Sequence, residues 1–306
     1  MGTMGLSAGS AGTPHSAGAK AAITALVLAA LCMLIGFGAG RAAAFPGGDA
    51  AGALTVGGLN RTYQVHAPPG LNNPAGLVLN LHGAGMTGQA QAGATNYNAI
   101  ADQYGFVVAY PDGIDMSWAD GRGASLPDRQ GVDDVGFLVA LTDRLRQEYG
   151  VDPGRVFVTG TSAGGFMASR LACQRADVFA AAAPVAATLA SGFSCAPSQP
   201  VSVLTVQGTS DPVVPFGGGP MLGRGGPSDI VPAAAMAQRW RDIDGCAAPV
   251  EQVQGNVHRF VATGCAGGTA VEFVQIDGGG HVWPGGLFAP FDASQATGQF
   301  FATHGR

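Results

Sequence analysis

Lysine is all but missing from this chain: of its 306 residues only Lys20 carries an amine side chain, and every other cation is arginine. Charge of either sign is scarce, at 11% of residues, and the formal net charge is −5. Such a chain offers no basic stripe, which argues against nucleic acid as a partner. No Cys-x-x-Cys occurs, which argues against a zinc or thiol-redox site. There is no internal repeat, and past residue 45 no break in composition marks a second domain. Glycine, by contrast, is abundant at 50 residues, and 47% of the chain is hydrophobic. That length and composition suit one large α/β domain with a substantial core.

The first 44 residues contain no acid at all. An apolar run from Ala21 to Phe37 is followed by Ala42–Ala43–Ala44, an A-x-A cleavage pattern before Phe45. Residues 1–44 therefore read as a secretory signal peptide, and 45–306 as a single mature domain without a stable membrane span. A retained membrane anchor is the alternative, since the run is near the lower limit of a span. Cys32 follows Leu31 rather than a small residue, so it lacks a lipobox. Export would place the protein in the extracellular space or periplasm. There the four remaining cysteines, Cys173, Cys195, Cys246 and Cys265, are expected to form disulfides. Three pairings are possible; the nearest-neighbour one, Cys173–Cys195 and Cys246–Cys265, closes the shortest loops.

Residues 45–52 read as a flexible linker. Short strands over 53–56 and 63–67, joined at Gly57–Asn60, suggest a hairpin. Leu77–Leu81, Phe106–Tyr110, Val156–Val158, Val201–Val206 and Val271–Ile276 are apolar runs of the kind found in strands buried on both faces. A weaker strand is expected over 180–187. Between them lie helical patterns over 89–103, from Asp133 to about Arg146, after Ser162, over 230–243 and over 291–303. The segments 116–131 and 217–226 read as loops. Alternation of this kind points to an open, largely parallel sheet with helices on both faces. In such a sheet the site lies at the carboxyl ends of the strands.

One stretch carries chemistry. Val156–Val158 runs into Gly160–Thr161–Ser162–Ala163–Gly164, and a helical pattern follows. A strand, Gly-x-Ser-x-Gly and a helix together make a nucleophile elbow. Ser7 sits in the same five-residue pattern without a strand before it or a helix after it, so it is set aside. A serine hydroxyl needs a base, and the base needs an orienting group. His281, after the glycine run that ends the last strand, is the candidate base. Asp211, just past Val201–Val206, is the candidate orienter, and Ser…Asp…His is the order this elbow uses. The N–H of Ala163 and one near Ala84, in His82–Gly83–Ala84–Gly85, are candidate oxyanion donors. His82 is better placed to brace that turn than to act as base. Trp118 and Trp283 either line the acyl pocket or fill the core. This chemistry calls for no metal and no cofactor.

Several stretches resemble the polyhydroxybutyrate depolymerase-like esterases, a secreted family that includes feruloyl and acetylxylan esterases. They are Leu81–Gly85, Ser117–Trp118, residues 131–138, Gly160–Gly164, residues 208–215 and Gly279–Gly-His-Val-Trp-Pro-Gly285. The last is the most specific, and the resemblance spans roughly residues 53–290. It implies the α/β-hydrolase fold, Ser162, Asp211 and His281 as a triad, and an ester substrate, either a small molecule or one carried on a polysaccharide or polyester. The chain departs from the family at the oxyanion turn. Many members read His-Gly-Cys-x-Gln there, where this chain has Ala84 and Met86, and that weakens the polymer-depolymerase reading. A secreted serine esterase acting through an acyl-enzyme on Ser162 is the expectation. An acyltransferase of the same fold and a non-catalytic wall- or carbohydrate-binding protein are the alternatives.

Overall fold

The computed structural model describes residues 1–2, 47–286 and 289–306. The chain divides into two units, Met1–Ala43 and Ala44–Arg306, and the second is the subject here. The expected leader, with Ser7, Cys32 and the cleavage point, lies outside the described residues except for Met1 and Gly2.

One ten-stranded sheet organises the second unit. Its first pair is β1 (Gly48–Val56) and β2 (Leu59–Ala67), antiparallel across a turn at Gly57–Gly58. Residues 48–52 thus belong to a strand, not to a linker: they pair with Tyr63–Ala67, and the alternating burial of Gly52, Leu54 and Val56 holds the register. Next in sequence come β3 (Gly76–Leu81), β4 (Phe106–Pro111), β5 (Val156–Thr161), β6 (Ala181–Val185), β7 (Ser202–Gly208) and β12 (Val271–Ile276). These six are mutually parallel, in the spatial order β4-β3-β5-β6-β7-β12. A second antiparallel pair, β10 (Val250–Gln254) and β11 (Val257–Ala262), extends the β12 edge. The sequence analysis places no strand over either segment. Their alternation is weak because β10 is exposed along its whole length.

The helices are α1 (Gly88–Thr95), α2 (Tyr97–Tyr104), α3 (Leu126–Gln130), α4 (Asp134–Tyr149), α5 (Ala163–Gln174), α6 (Ala233–Asp244) and α7 (Ala293–Thr303). Where one helix was expected over 89–103 there are two. Asn96, at φ 48°, ends α1 in a left-handed cap and starts α2 in a new direction. Asparagine is among the few residues that reach this region at low cost. The strands' period of two divides the core. Leu77, Leu79 and Leu81 pack with Phe137 and Leu141 of α4, Met167 of α5 and Trp240 of α6. Val78, Val108 and Phe157 face the other way, against Tyr97 and Ile100 of α2 and Phe300 and Phe301 of α7. The sheet is thus covered on both faces.

Cys173 is bonded to Cys195, and Cys246 to Cys265. The first ties the end of α5 to the segment after β6; the second ties the chain beyond α6 to the turn before β12. Each cross-link removes freedom from the unfolded chain, an effect of about 2–4 kcal/mol. Replacing both members of either pair by alanine should lower unfolding stability by about that much in urea titration. An unchanged midpoint would show that the bond contributes nothing.

Candidate active site

Ser162 lies between β5 and α5, at φ 53° and ψ −117°. A serine gains nothing locally from such a conformation, so the surroundings must impose it. Its N–H donates to the Val185 carbonyl (2.9 Å) and its carbonyl accepts from the Phe166 N–H (2.9 Å). Those bonds hold strand and helix at an acute turn. The flanking glycines are required by close approach. A Cβ on Gly164 would lie 2.1 Å from the Leu81 carbonyl oxygen, and one on Gly160 2.6 Å from the same atom. Neither obstacle is a flexible side chain. Gly164→Ala should therefore move the elbow against β3, costing about 1–3 kcal/mol or more. Turnover and unfolding midpoint, measured together, should both fall.

Asp211 follows β7 and His281 follows β12, the two strands being neighbours. The His281 Nδ1 lies 2.8 Å from Asp211 Oδ2. The carboxylate is held from every side. Its Oδ1 accepts from the Val213 and Val214 N–H groups, each at 2.8 Å, and Gln207 Nε2 donates to Oδ2 at 3.3 Å. Burial by itself would push the Asp211 carboxyl up. The His281 bond and the two backbone donors outweigh it, and the group is held below the usual carboxylate range. The ionised acid then accepts the Nδ1 proton, which leaves Nε2 as the ring's free acceptor. Gln207 carries no signal in the sequence, since it sits in β7 as one more strand residue. Asp112 and Asp115, the other acids past an early strand, are engaged elsewhere. Asp112 accepts from the Gly88 N–H and the Thr62 hydroxyl, and Asp115 lies 3.5 Å from Arg224.

The turn after β3 is braced from behind. His82 is fully buried. The Gly113 N–H donates to its Nε2 (2.9 Å), so Nδ1 carries the proton and donates to the Gly83 carbonyl (2.8 Å). Burial holds this imidazole below its ordinary pKa, against the raising effect of the Gly83 bond. Trp118 is fully buried too, and its indole N–H donates to the His82 carbonyl at 2.9 Å. Trp118 is therefore not a pocket wall: its ring lies behind the turn, 4.8 Å from the His82 ring. In the turn itself the Gly85 N–H donates to the Met116 carbonyl and the Met86 N–H to that of Gly83. Among the described residues the N–H of Ala84 finds no protein acceptor, nor does that of Ala163 at the first turn of α5.

Two cavities meet at Ala84, Ser162 and His281. One, of about 330 Å³, runs between Met86 and Gln91 on one side and Val282 and Trp283 on the other. Trp283 thus borders the cleft, its indole N–H donating to Ser294 Oγ at 2.9 Å. The other, of about 220 Å³, is lined by Arg122, Ser125, Val213, Met221 and Arg224. Its roof is a hairpin of β8 (Gly219–Gly223) and β9 (Gly226–Ile230), where the sequence suggested a bare loop over 217–226. Glycine and proline in these strands hide the pattern. Met221 and Ile230 nevertheless bury against Phe166 and Ala187, and that small core holds the hairpin down. A further cavity of about 490 Å³, behind the 277–285 loop, does not reach Ser162.

Residues 61–218 match the family model described as Esterase PHB depolymerase, over half of the chain. This chain belongs to that family. Family membership makes it a carboxylic ester hydrolase of the serine esterase type. Among relatives, NocK of Nocardia uniformis subsp. tsuyamanensis is 33% identical over 256 residues, covering 77% of this chain and 74% of its own. Feruloyl esterase B of Piromyces equi is 33% identical over 72% of this chain, which spans only 42% of that enzyme's length. Among solved structures, an acetyl xylan esterase from Aspergillus awamori superposes with a TM-score of 0.57 at 18% identity, covering 82% of this chain and 98% of that one. A likeness at that identity speaks for the fold, and the fold of this esterase is that of the α/β-hydrolases. Among the described residues, no helix is long and apolar enough to cross a membrane.

Proposed function

We propose that this esterase works through an acyl-enzyme on Ser162, with His281 as general base and acid, Asp211 as its orienter, and the Ala84 and Ala163 N–H groups as oxyanion donors. Ser162 Oγ attacks the ester carbonyl carbon while its proton passes to His281 Nε2. The carbonyl oxygen gathers the negative charge and is met by the two N–H groups. His281 then returns the proton to the departing alcohol oxygen as the C–O bond breaks. A water, deprotonated by the same Nε2, repeats the attack and releases the acid. Asp211 stays ionised throughout and steadies the imidazolium.

The observation that carries this reading is the 2.8 Å His281–Asp211 bond, set beside a serine held at positive φ in the same pair of cavities. The relatives' printed names support feruloyl or acetyl esters as substrates. Two disulfides support an oxidising compartment and hence export, with residues 45–306 as one catalytic domain. The decisive experiment reacts the protein with p-nitrophenyl acetate, quenches in acid and maps peptides. A burst of nitrophenol with an acetyl group on the Ser162 peptide is expected. Acetylation elsewhere, or a linear release with no adduct on that peptide, would displace Ser162 from the role.

A further inference from the structure

Arg224 stands at the tip of the β8–β9 hairpin, in the turn between its two strands. Its stem crosses the oxyanion turn: a Cβ on Gly85, the residue after Ala84, would lie 3.6 Å from Arg224 Cδ. Its Nη1 donates to the Asp115 carbonyl. Its Nε and Nη2 make no hydrogen bond among the described residues. The Asp115 carboxylate comes no closer than 3.5 Å to Nη2, beyond the usual range of a hydrogen bond. Elsewhere in this chain the same Nε–Nη2 edge closes on an acid in two parallel bonds. Arg122 holds Asp120 in that way, at 3.0 and 2.6 Å, and Arg175 holds Asp177, at 2.9 and 2.8 Å. A planar fork of this kind matches the two oxygens of a carboxylate. Arg224 carries the fork without the acid, on a side chain that stays 42% exposed.

That side chain lines the cavity of about 220 Å³ that opens on Ser162 and His281. A second guanidinium lines it too. Arg122 commits its Nε–Nη2 edge to Asp120 and one face to the Phe166 ring, 4.1 Å from the centroid. Its Nη1 has only Met221 Sδ, at 3.7 Å, and a thioether is a weak acceptor. None of the side chains lining this cavity is acidic. Guanidinium donors thus border a space beside the nucleophile that no carboxylate of the protein lines. We propose that this cavity binds the half of the ester that carries a carboxylate, with the free edge of Arg224 as the group that selects it and Arg122 Nη1 as a second donor. The inference rests on the ester-hydrolase reading above. The carboxylate can lie on the acid, as in the monoester of a dicarboxylic acid, or on the alcohol, as in an acylated hydroxy acid. Both bring the same anion to the same fork. A neutral amide of the same shape brings no charge, so the charge-assisted part of the binding is lost.

The test measures kcat/KM for two pairs of esters, each divided by the rate of the same ester with hydroxide to remove intrinsic reactivity. Methyl 4-carboxybenzoate against methyl 4-carbamoylbenzoate places the charge on the acid; 4-acetoxybenzoate against 4-acetoxybenzamide places it on the alcohol. Wild type should prefer the carboxylate member of one pair by about tenfold or more, and the preference should shrink as sodium chloride is raised. In Arg224→Gln that ratio should collapse toward one, and Arg224→Lys should keep part of it. A purely structural role for Arg224, holding the hairpin through the Asp115 carbonyl, would slow both members of each pair alike and leave the ratio untouched. A preference that survives Arg224→Gln at full size therefore overturns the proposal. So do wild-type ratios within about twofold in both pairs, too small for a charge-assisted bond; these need no variant, should Arg224→Gln fail to fold. Turnover of p-nitrophenyl acetate with flat ratios sinks the role of Arg224 alone. No turnover of any ester by the wild type sinks the ester-hydrolase reading with it.

Discussion

Replacing Ser162 by alanine should lower the turnover of p-nitrophenyl acetate by on the order of 10⁶-fold, to the residue of catalysis that binding and oxyanion donors supply alone. The side chain is small and the helix after it begins at Ala163, so the variant should keep the fold. Its unfolding midpoint should stay level, because alanine carries the same Cβ and keeps the backbone at the same φ of 53°. Adding Asp211→Asn to Ser162→Ala should cost little more, since groups that act as one unit do not add. A single variant that kept even a hundredth of wild-type turnover, far above the residue expected, would mean a different nucleophile.

Asp211→Asn alone should cost on the order of 10⁴-fold in turnover. The asparagine amide keeps the size of the carboxylate and can still accept from Val213 and Val214 through one oxygen. Its NH₂ would then face His281 Nδ1 and donate to it, which puts the ring proton on Nε2, the wrong nitrogen for accepting from Ser162. The variant should be folded by circular dichroism and nearly inactive. Asp229→Asn serves as the control. Asp229 lies in β9 with its side chain exposed, and should change turnover little. If Asp211→Asn kept more than about a tenth of the activity, the orienting acid would be another residue.

Most of the sheet could be read from residue types, because strands buried on both faces must be apolar throughout. Val271–Ile276 was expected as a strand and is one. The elbow was equally plain, since glycines at 160 and 164 answer to a backbone contact that any such turn makes. What stayed hidden depends on partners distant in sequence. The β8–β9 hairpin owes its place to Phe166 and Ala187, more than 30 residues before it. Trp118 looked as suited to a pocket as to the core until the His82 carbonyl claimed its N–H. The cysteine pairing sits between these cases: the shortest loops were the ones that formed.

The spatial order of the strands has a consequence for how the protein comes to life. Ser162 stands at the end of β5, Asp211 beyond β7 and His281 beyond β12, with β6 in between. At about 4.8 Å per strand, the serine and histidine strands lie about 14 Å apart across the sheet. The glycine run 278–280 lets the last loop lean back over that distance. None of the three residues can meet until β12, which begins more than 100 residues after Ser162, has docked on β7. Parallel pairings of such long range close slowly, because the entropy of the intervening chain must be overcome first. Hydrolysis is then the last signal to return on refolding, after helicity and after burial of the β3–β5 core. A turnover assay therefore times completion of the sheet, where spectroscopy of the helices reports only its beginning.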